Sequence, residues 1–392
     1  MDKNFPTIPG FEILKLVGRG GMGAVYLARQ QSLNRPVAVK IMMAQLAANP
    51  AHLMRFKQEA RAAARIKHPG LVQVLDAGEY GGMFYYVMEF ISGETTSQRL
   101  CRKGRLDEET ALMIAESVAV ALEYAWEAAR LVHRDIKPDN ILIDGDGTVK
   151  VADLGLAKLL DQQGEAITVS RALIGTPHYC SPEQARGEIQ VDCRADIYGL
   201  GATLYHYVVG RAPFADTSGV AAMVRALTDF VPDPMDCHPD ISSRMAWLIE
   251  KMMARDRENR QPDWHAVLDD IEQVMQGRPP SSSRLPARKS TILRSARRSA
   301  AEFPPAGTGT RPGDAEDRGA EPAGAGRSEQ APEPDDGREM AADESAAPEP
   351  GGEAESEEDA KAAATASSTF RFFLIVAAVF TILLYLAWFW IE

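Results

Sequence analysis

The stretch VHRDIKPDNILID, residues 132–144, limits what this chain can become more than any other part of it. His133, Arg134, Asp135, Lys137 and Asn140 crowd into eight positions, too many charged and polar groups for a core strand and too ordered a pattern for a linker. Shortly after it comes VKVADLGLAK, in which an apolar run leads directly to Asp153. Charges at fixed spacing beside short apolar runs point to a loop that holds its side chains in place for chemistry.

Upstream, Gly18-Arg19-Gly20-Gly21-Met22-Gly23-Ala24-Val25 fits G-x-G-x-x-G-x-V. A dinucleotide-binding glycine loop opens straight into a helix, whereas AVYLARQ continues as a β-rich run, so a hairpin flap over phosphates is expected. Without Cβ atoms, Gly18, Gly20 and Gly23 let backbone N–H groups approach phosphate oxygens. Lys40 sits in VAVK, where a strand lysine needs an anionic partner if it is buried, and Glu59 on the following helix-forming stretch is the expected one.

The organisation follows from pattern changes. Residues 11–90 read as strands with one helical interruption, including a hairpin around Gly81-Gly82. Beyond Gly93 the spacing turns helical, first in LDEETALMIAESVAVALEYAWEAARLVH and later in four further runs as far as residue 276. The expected architecture is α+β and bilobal, with a small β-rich lobe at 11–90, a larger helical lobe at 94–275 and a hinge near Met88 to Gly93. Residues 1–10 form a short extension with no apolar stretch of the kind a secretory signal needs. The four cysteines show neither C-x-x-C pairing nor metal-ligand spacing.

Taken together, these motifs resemble those of eukaryotic-type protein kinases of the Ser/Thr class, specifically the membrane-anchored bacterial ones. The resemblance covers residues 11–275, with the motifs in the family's order. It implies that Asp135 is the catalytic base, that Lys137 stabilises the transferring γ-phosphoryl group, and that Asn140 and Asp153 hold Mg²⁺, or Mn²⁺ in its place. Lys40, paired with Glu59, would hold the α- and β-phosphates of ATP. The adenine would rest on the hinge backbone from Glu89 to Ile91, beside Met88, between Val25 and Ala38. Thr176 would contact Asp135, Glu183 would pair with Arg260, and Asp196 would anchor the catalytic loop that His133 and Arg134 begin. Two positions depart from the pattern: the metal-binding triplet is Asp-Leu-Gly, and Ser181 stands where the family has alanine. Neither removes a charge that phosphoryl transfer uses. A kinase-like scaffold, tethered to a membrane and without significant turnover, is the competing reading.

Arg134 before the base implies pairing with a phosphorylated activation loop, for which Thr168 and Ser170 are the expected autophosphorylation sites. From 276 to 369 the sequence reads as a disordered linker, basic then acidic: residues 281–300 carry six Arg and Lys and no acid, and most of the acidic excess behind the net charge of −12 follows them. Residues 370–392 read as a transmembrane anchor. The twenty positions 372–391 carry no charge, Tyr385, Trp388 and Trp390 lie near one end, and Arg371 flanks the other. The sequence stops at Glu392, so the expectation is a single-pass tail anchor with the kinase on the cytoplasmic face of the inner membrane. Protein substrates with Ser or Thr acceptors, the membrane and a second copy of the chain are the expected partners. Nucleic acid is not.

Overall fold

The computed structural model describes residues 5–20, 23–42, 63–154, 177–217, 219–282 and 284–294. They belong to the first of two units, Met1–Thr310; the second, Arg311–Glu392, lies outside them. So do Glu59, Thr168, Ser170, Thr176 and the apolar segment 370–392. Among the described residues no helix is long and apolar enough to cross a membrane.

The smaller lobe is a five-stranded antiparallel sheet of β1 (Phe11–Gly20), β2 (Gly23–Gln30), β3 (Arg35–Met42), β4 (Val74–Tyr80) and β5 (Met83–Glu89), in the order β1-β2-β3-β5-β4. β3 lies at its centre and is buried on both faces. Its period-2 alternation sends Val37, Val39 and Ile41 into one apolar cluster with Tyr26, Ala28 and Val87. Ala38, Lys40 and Met42 take the opposite face, where Ala38 and Met42 join Phe84, Tyr86 and Met88. A charged side chain thus lies buried on the cleft face of a central strand.

Past the hinge, β6 (Glu94–Thr95) leads into α1 (Thr96–Lys103) and the long α2 (Glu108–Ala129). Asp107 caps α2 by accepting from the Thr110 N–H, and Glu108 and Glu109 complement the helix dipole in the first turn. β7 (Ile141–Ile143) and β8 (Val149–Val151) complete a three-stranded sheet with β6. The rest of the larger lobe is α3 (Pro182–Ala185), α4 (Cys193–Val209), α5 (Val220–Thr228), β9 (Val231–Pro232), α6 (Pro234–Cys237), α7 (Ser243–Met252) and α8 (Trp264–Met275). α4 is buried along nearly its whole length between α2 and α7. At Gly201 a Cβ would stand 2.6 Å from that of Met252, so only glycine lets α4 and α7 approach this closely.

The expected start of the disordered linker at residue 276 is too early. After α8 the chain turns back and stays packed as far as Arg294. Ser282 N donates to Asp270 Oδ1 at 2.8 Å, Thr291 Oγ1 donates to the Met253 carbonyl at 2.7 Å, and Arg294 Nε donates to the buried Glu250 at 2.8 Å. Leu285 and Ile292 are buried, and β10 (Ile292–Leu293) pairs in parallel with β9. A few apolar anchors and satisfied hydroxyls dock this strap, although its Pro, Ser and Arg content reads as linker. The basic Arg284, Arg288, Lys289 and Arg294 belong to it.

Candidate active site

The site lies where three pieces of chain meet: the cleft face of the upper sheet, the loop between α2 and β7, and the residues after β8. The loop is built on Asp196, from the first turn of α4. Its carboxylate accepts from the backbone N–H groups of His133 and Arg134, both at 2.6 Å. Burial pushes the Asp196 carboxyl up, and the two N–H groups and His133 act against that rise. Arg134 adopts φ 68°, a left-handed turn that aims the following residue into the cleft. The Arg134 carbonyl accepts from Gln184 Nε2 at 2.9 Å, which ties the loop to α3.

His133 is fully buried. Its Nδ1 accepts from the Asp135 N–H at 3.2 Å, so the ring proton sits on Nε2 and is donated to the Ala152 carbonyl at 2.7 Å. One imidazole thereby joins the backbone that carries Asp135 to the backbone that precedes Asp153.

Around Asp135 the polar groups converge. Lys137 Nζ donates to both carboxylate oxygens, at 3.0 and 2.8 Å, and Asn140 Nδ2 donates to the Asp135 carbonyl at 2.7 Å and to Oδ2 at 2.9 Å. Burial works to lower the Lys137 pKa, but the Asp135 carboxylate outweighs it, so this ammonium stays charged. With its amide nitrogen committed to Asp135, Asn140 has its amide oxygen left for a cation.

Asp153 adopts φ 63° two residues past β8. Lys40 Nζ donates to its Oδ2 at 2.6 Å, and the Tyr86 phenol donates to its Oδ1, also at 2.6 Å. Burial acts to raise the Asp153 pKa, yet Lys40 and the hydrogen bonds outweigh it and hold the carboxyl below its ordinary value. Glu59, the partner expected for Lys40, lies outside the described residues; among those described, the anionic partner is Asp153. Leu154, of the Asp-Leu-Gly triplet, is buried in the core of the larger lobe, so leucine fills that apolar slot.

Above these groups, β1 and β2 form the hairpin that contains Gly18, Gly20 and Gly23, with Gly20 paired to Gly23. A Cβ at Gly18 or Gly20 would meet no atom of the described residues within 4 Å, whereas one at Gly23 would overlap the Ile41 carbonyl oxygen. Gly23 is therefore required by the fold, while the backbone at the other two is open to a close ligand. Val25, Ala38, Met88 and Ile91 share one apolar cluster with Val72, Leu142 and Ala152. Sequence reasoning passed over Leu142 and Ala152, which close this cluster from the β7–β8 side. Glu89 ends β5; its N–H donates to the Gln73 carbonyl at 3.0 Å and its carboxylate accepts from Lys150 at 2.9 Å. In the larger lobe, Arg260 and Glu183 form a bidentate pair at 2.6 and 2.8 Å.

The donor set suits a hard cation. One carboxylate and one amide oxygen are ligands of the kind Mg²⁺ accepts alongside nucleotide phosphates. Among the described residues there is no group of three or more His, Cys, Asp or Glu side chains fit to hold a metal without such help.

Comparison with known proteins is consistent with this geometry. Residues 11–274 match the protein kinase domain family. A probable serine/threonine-protein kinase of Clostridium perfringens is 39% identical over 264 residues, 67% of this chain and 38% of that relative. The serine/threonine-protein kinase PknB of Mycobacterium tuberculosis is 35% identical over 292 residues, 73% of this chain and 46% of PknB. The chain thus spans less than half the length of these curated relatives. Among solved structures, the kinase domain of Mycobacterium tuberculosis PknI superposes with a TM-score of 0.56 at 26% identity, covering 68% of this chain and 97% of that domain.

Proposed function

The chain belongs to the protein kinase domain family, and from that premise we propose that it transfers the γ-phosphoryl group of ATP to Ser and Thr hydroxyls of proteins. The observation that carries this reading is the convergence of Lys137 and Asn140 on Asp135, with Asp153 and Lys40 held beside it. Phosphoryl transfer asks a protein chiefly for position and for positive charge near the phosphate oxygens.

In this reading Asp135 accepts the proton of the attacking hydroxyl. Lys137, 2.8 Å from that carboxylate, places positive charge beside the transferring group. Lys40 leaves Asp153 for the α- and β-phosphates. Asn140 and Asp153 would hold Mg²⁺, which would supply charge to neutralise the phosphate oxygens. The cluster of Val25, Ala38, Met88, Ile91 and Leu142 receives the adenine, and the hinge backbone from Glu89 to Ile91 borders it.

The direct test is Asp135→Asn. Phosphate incorporation from labelled ATP should fall by on the order of 10²–10⁴-fold. Equal incorporation by the variant and the parent would leave the chain a kinase-like scaffold.

Three further features are part of the proposal. Residues 370–392 tether the kinase to the inner face of the membrane, supported by twenty uncharged residues behind Arg371. Thr168 or Ser170 is autophosphorylated and pairs with Arg134. The tether also favours pairing with a second copy by raising local concentration. Removal of 370–392 should move the protein from the membrane to the soluble fraction with its intrinsic turnover kept.

A further inference from the structure

Lys40 and Tyr86 are register partners across β3 and β5, and their side chains share the cleft face of the sheet. The Lys40 ammonium lies 5.9 Å from the centre of the Tyr86 ring. Both side chains end on one carboxylate, that of Asp153, each at 2.6 Å and each on a different oxygen. Tyr86 is 2% exposed and stands among Ala38, Met42, Val72, Phe84 and Met88.

For filling that apolar surface, leucine or phenylalanine would serve as well as tyrosine. The hydroxyl adds a dipole that is costly to bury without an acceptor, and the acceptor it meets is the carboxylate expected to carry the metal. An O–H···O⁻ bond of this length is among the stronger hydrogen bonds a protein makes, and it fixes the plane of the carboxylate.

The two donors on Asp153 differ in what nucleotide does to them. Lys40 sits on a flexible stem, and the kinase reading moves it to the phosphates, which frees Oδ2. The Tyr86 ring is packed in its strand, which holds the phenol on Oδ1. We propose that Tyr86 is a positioning residue for the metal-binding carboxylate: its phenol fixes Asp153 Oδ1, so that Oδ2 is the oxygen presented to the divalent ion once Lys40 turns to the phosphates. The proposal rests on the assignment of Asp153 as a metal ligand under the kinase reading.

The informative variant is Tyr86→Phe, which removes one oxygen and keeps the ring. A smaller residue would enlarge the cavity that Val72, Met88 and Leu154 border beside that ring, mixing a packing defect into the result. Mn²⁺ binding to the full chain, in the presence of a non-hydrolysable ATP analogue, is followed by electron paramagnetic resonance of the free ion. Groups that orient a metal ligand typically contribute 10- to 100-fold in metal affinity, so Tyr86→Phe should weaken Mn²⁺ binding by about tenfold. Binding of the analogue alone, in chelator, should not change. In phosphorylation assays the Mg²⁺ concentration for half-maximal rate should rise by about the same factor, while kcat at saturating Mg²⁺ returns to that of the parent.

Unchanged Mn²⁺ affinity in Tyr86→Phe overturns the proposal. So does a loss of rate that no Mg²⁺ concentration restores and that tracks a lower melting temperature, since that marks a packing role alone. Failure of the kinase reading has a separate signature. If the parent chain incorporates no phosphate yet the variant weakens Mn²⁺ as expected, the transfer assignment falls and the role of Tyr86 stands.

Discussion

Two buried ion pairs in this molecule have the same shortest distance, 2.6 Å, and opposite characters. Arg260–Glu183 is sealed inside the larger lobe, with side-chain exposures of 0% and 3%. Its guanidinium also donates to the carbonyls of Ala254 and Arg194 and lies 5.0 Å from the centre of the Tyr198 ring. Burial alone would raise the Glu183 pKa, but Arg260 outweighs it and holds the carboxyl low. Lys40–Asp153 joins the upper sheet to the lower lobe through one ammonium contact, and Asp153 keeps 20% of its side chain exposed. The first pair is closed on every side by protein and serves the architecture. The second faces the cleft and, in the kinase reading, is exchanged for a ligand.

The sharpest way to break this comparison is Arg260→Ala. It leaves Glu183 charged and buried, and should cost about 3–5 kcal/mol in urea unfolding. Lys40→Met should act the other way round. Turnover should drop by on the order of 10²–10³-fold, as for loss of one electrostatic donor at a reacting phosphate. The fold should lose only about 1–2 kcal/mol, because Tyr86 still donates to Asp153 and the carboxylate still reaches water. A Lys40→Met melting curve displaced as far as that of Arg260→Ala would erase the distinction between the two pairs.

A half-buried group whose neighbouring carboxylate does not offset burial extends the contrast to pH. His206 accepts the Tyr179 hydroxyl at 2.6 Å, and burial holds its pKa down at about 4, against an ordinary 6.5. The unfolded chain therefore binds this proton first as pH falls. The stability it reflects is fully present above about pH 6.5, declines towards pH 4, and amounts to at most about 3 kcal/mol. His206→Asn should flatten that part of the stability-versus-pH curve; an unaltered slope would assign it to other groups. The smallest effect is expected at the strap. Thr291→Val removes one hydrogen bond to the Met253 carbonyl and should cost about 1 kcal/mol, read as a small shift in urea midpoint.

The parts of the molecule legible in sequence were those whose signal is local. The β1–β2 hairpin follows from its glycines, α2 from its acidic first turn and apolar spacing, and the catalytic loop from residues packed into eight positions. The strap at 277–294 had no such signal, because its anchors Leu285, Thr291 and Ile292 follow no period and a two-residue strand like β10 is shorter than any pattern can resolve. The bond from Tyr86 to Asp153 spans 67 positions, and an aromatic residue in a strand reads as core whatever its hydroxyl does. Leu142 and Ala152 were overlooked for a related reason. Their neighbours Asn140 and Asp153 are the residues to which the kinase reading gives the chemistry, and the apolar residues beside them draw attention only once the upper sheet is in place.

His133 bonds to the backbone on both sides of the lower site, so one imidazole links the segments that carry Asp135 and Asp153. Lys40 and Tyr86 belong to the sheet above, and both close on the same carboxylate. Parting the lobes strains the Tyr86 bond first, because that ring is packed in the sheet, while the flexible Lys40 stem can follow the carboxylate. An inhibitor that wedges the cleft open gives up both protein donors to Asp153 and leaves that carboxylate to water or to donors of its own.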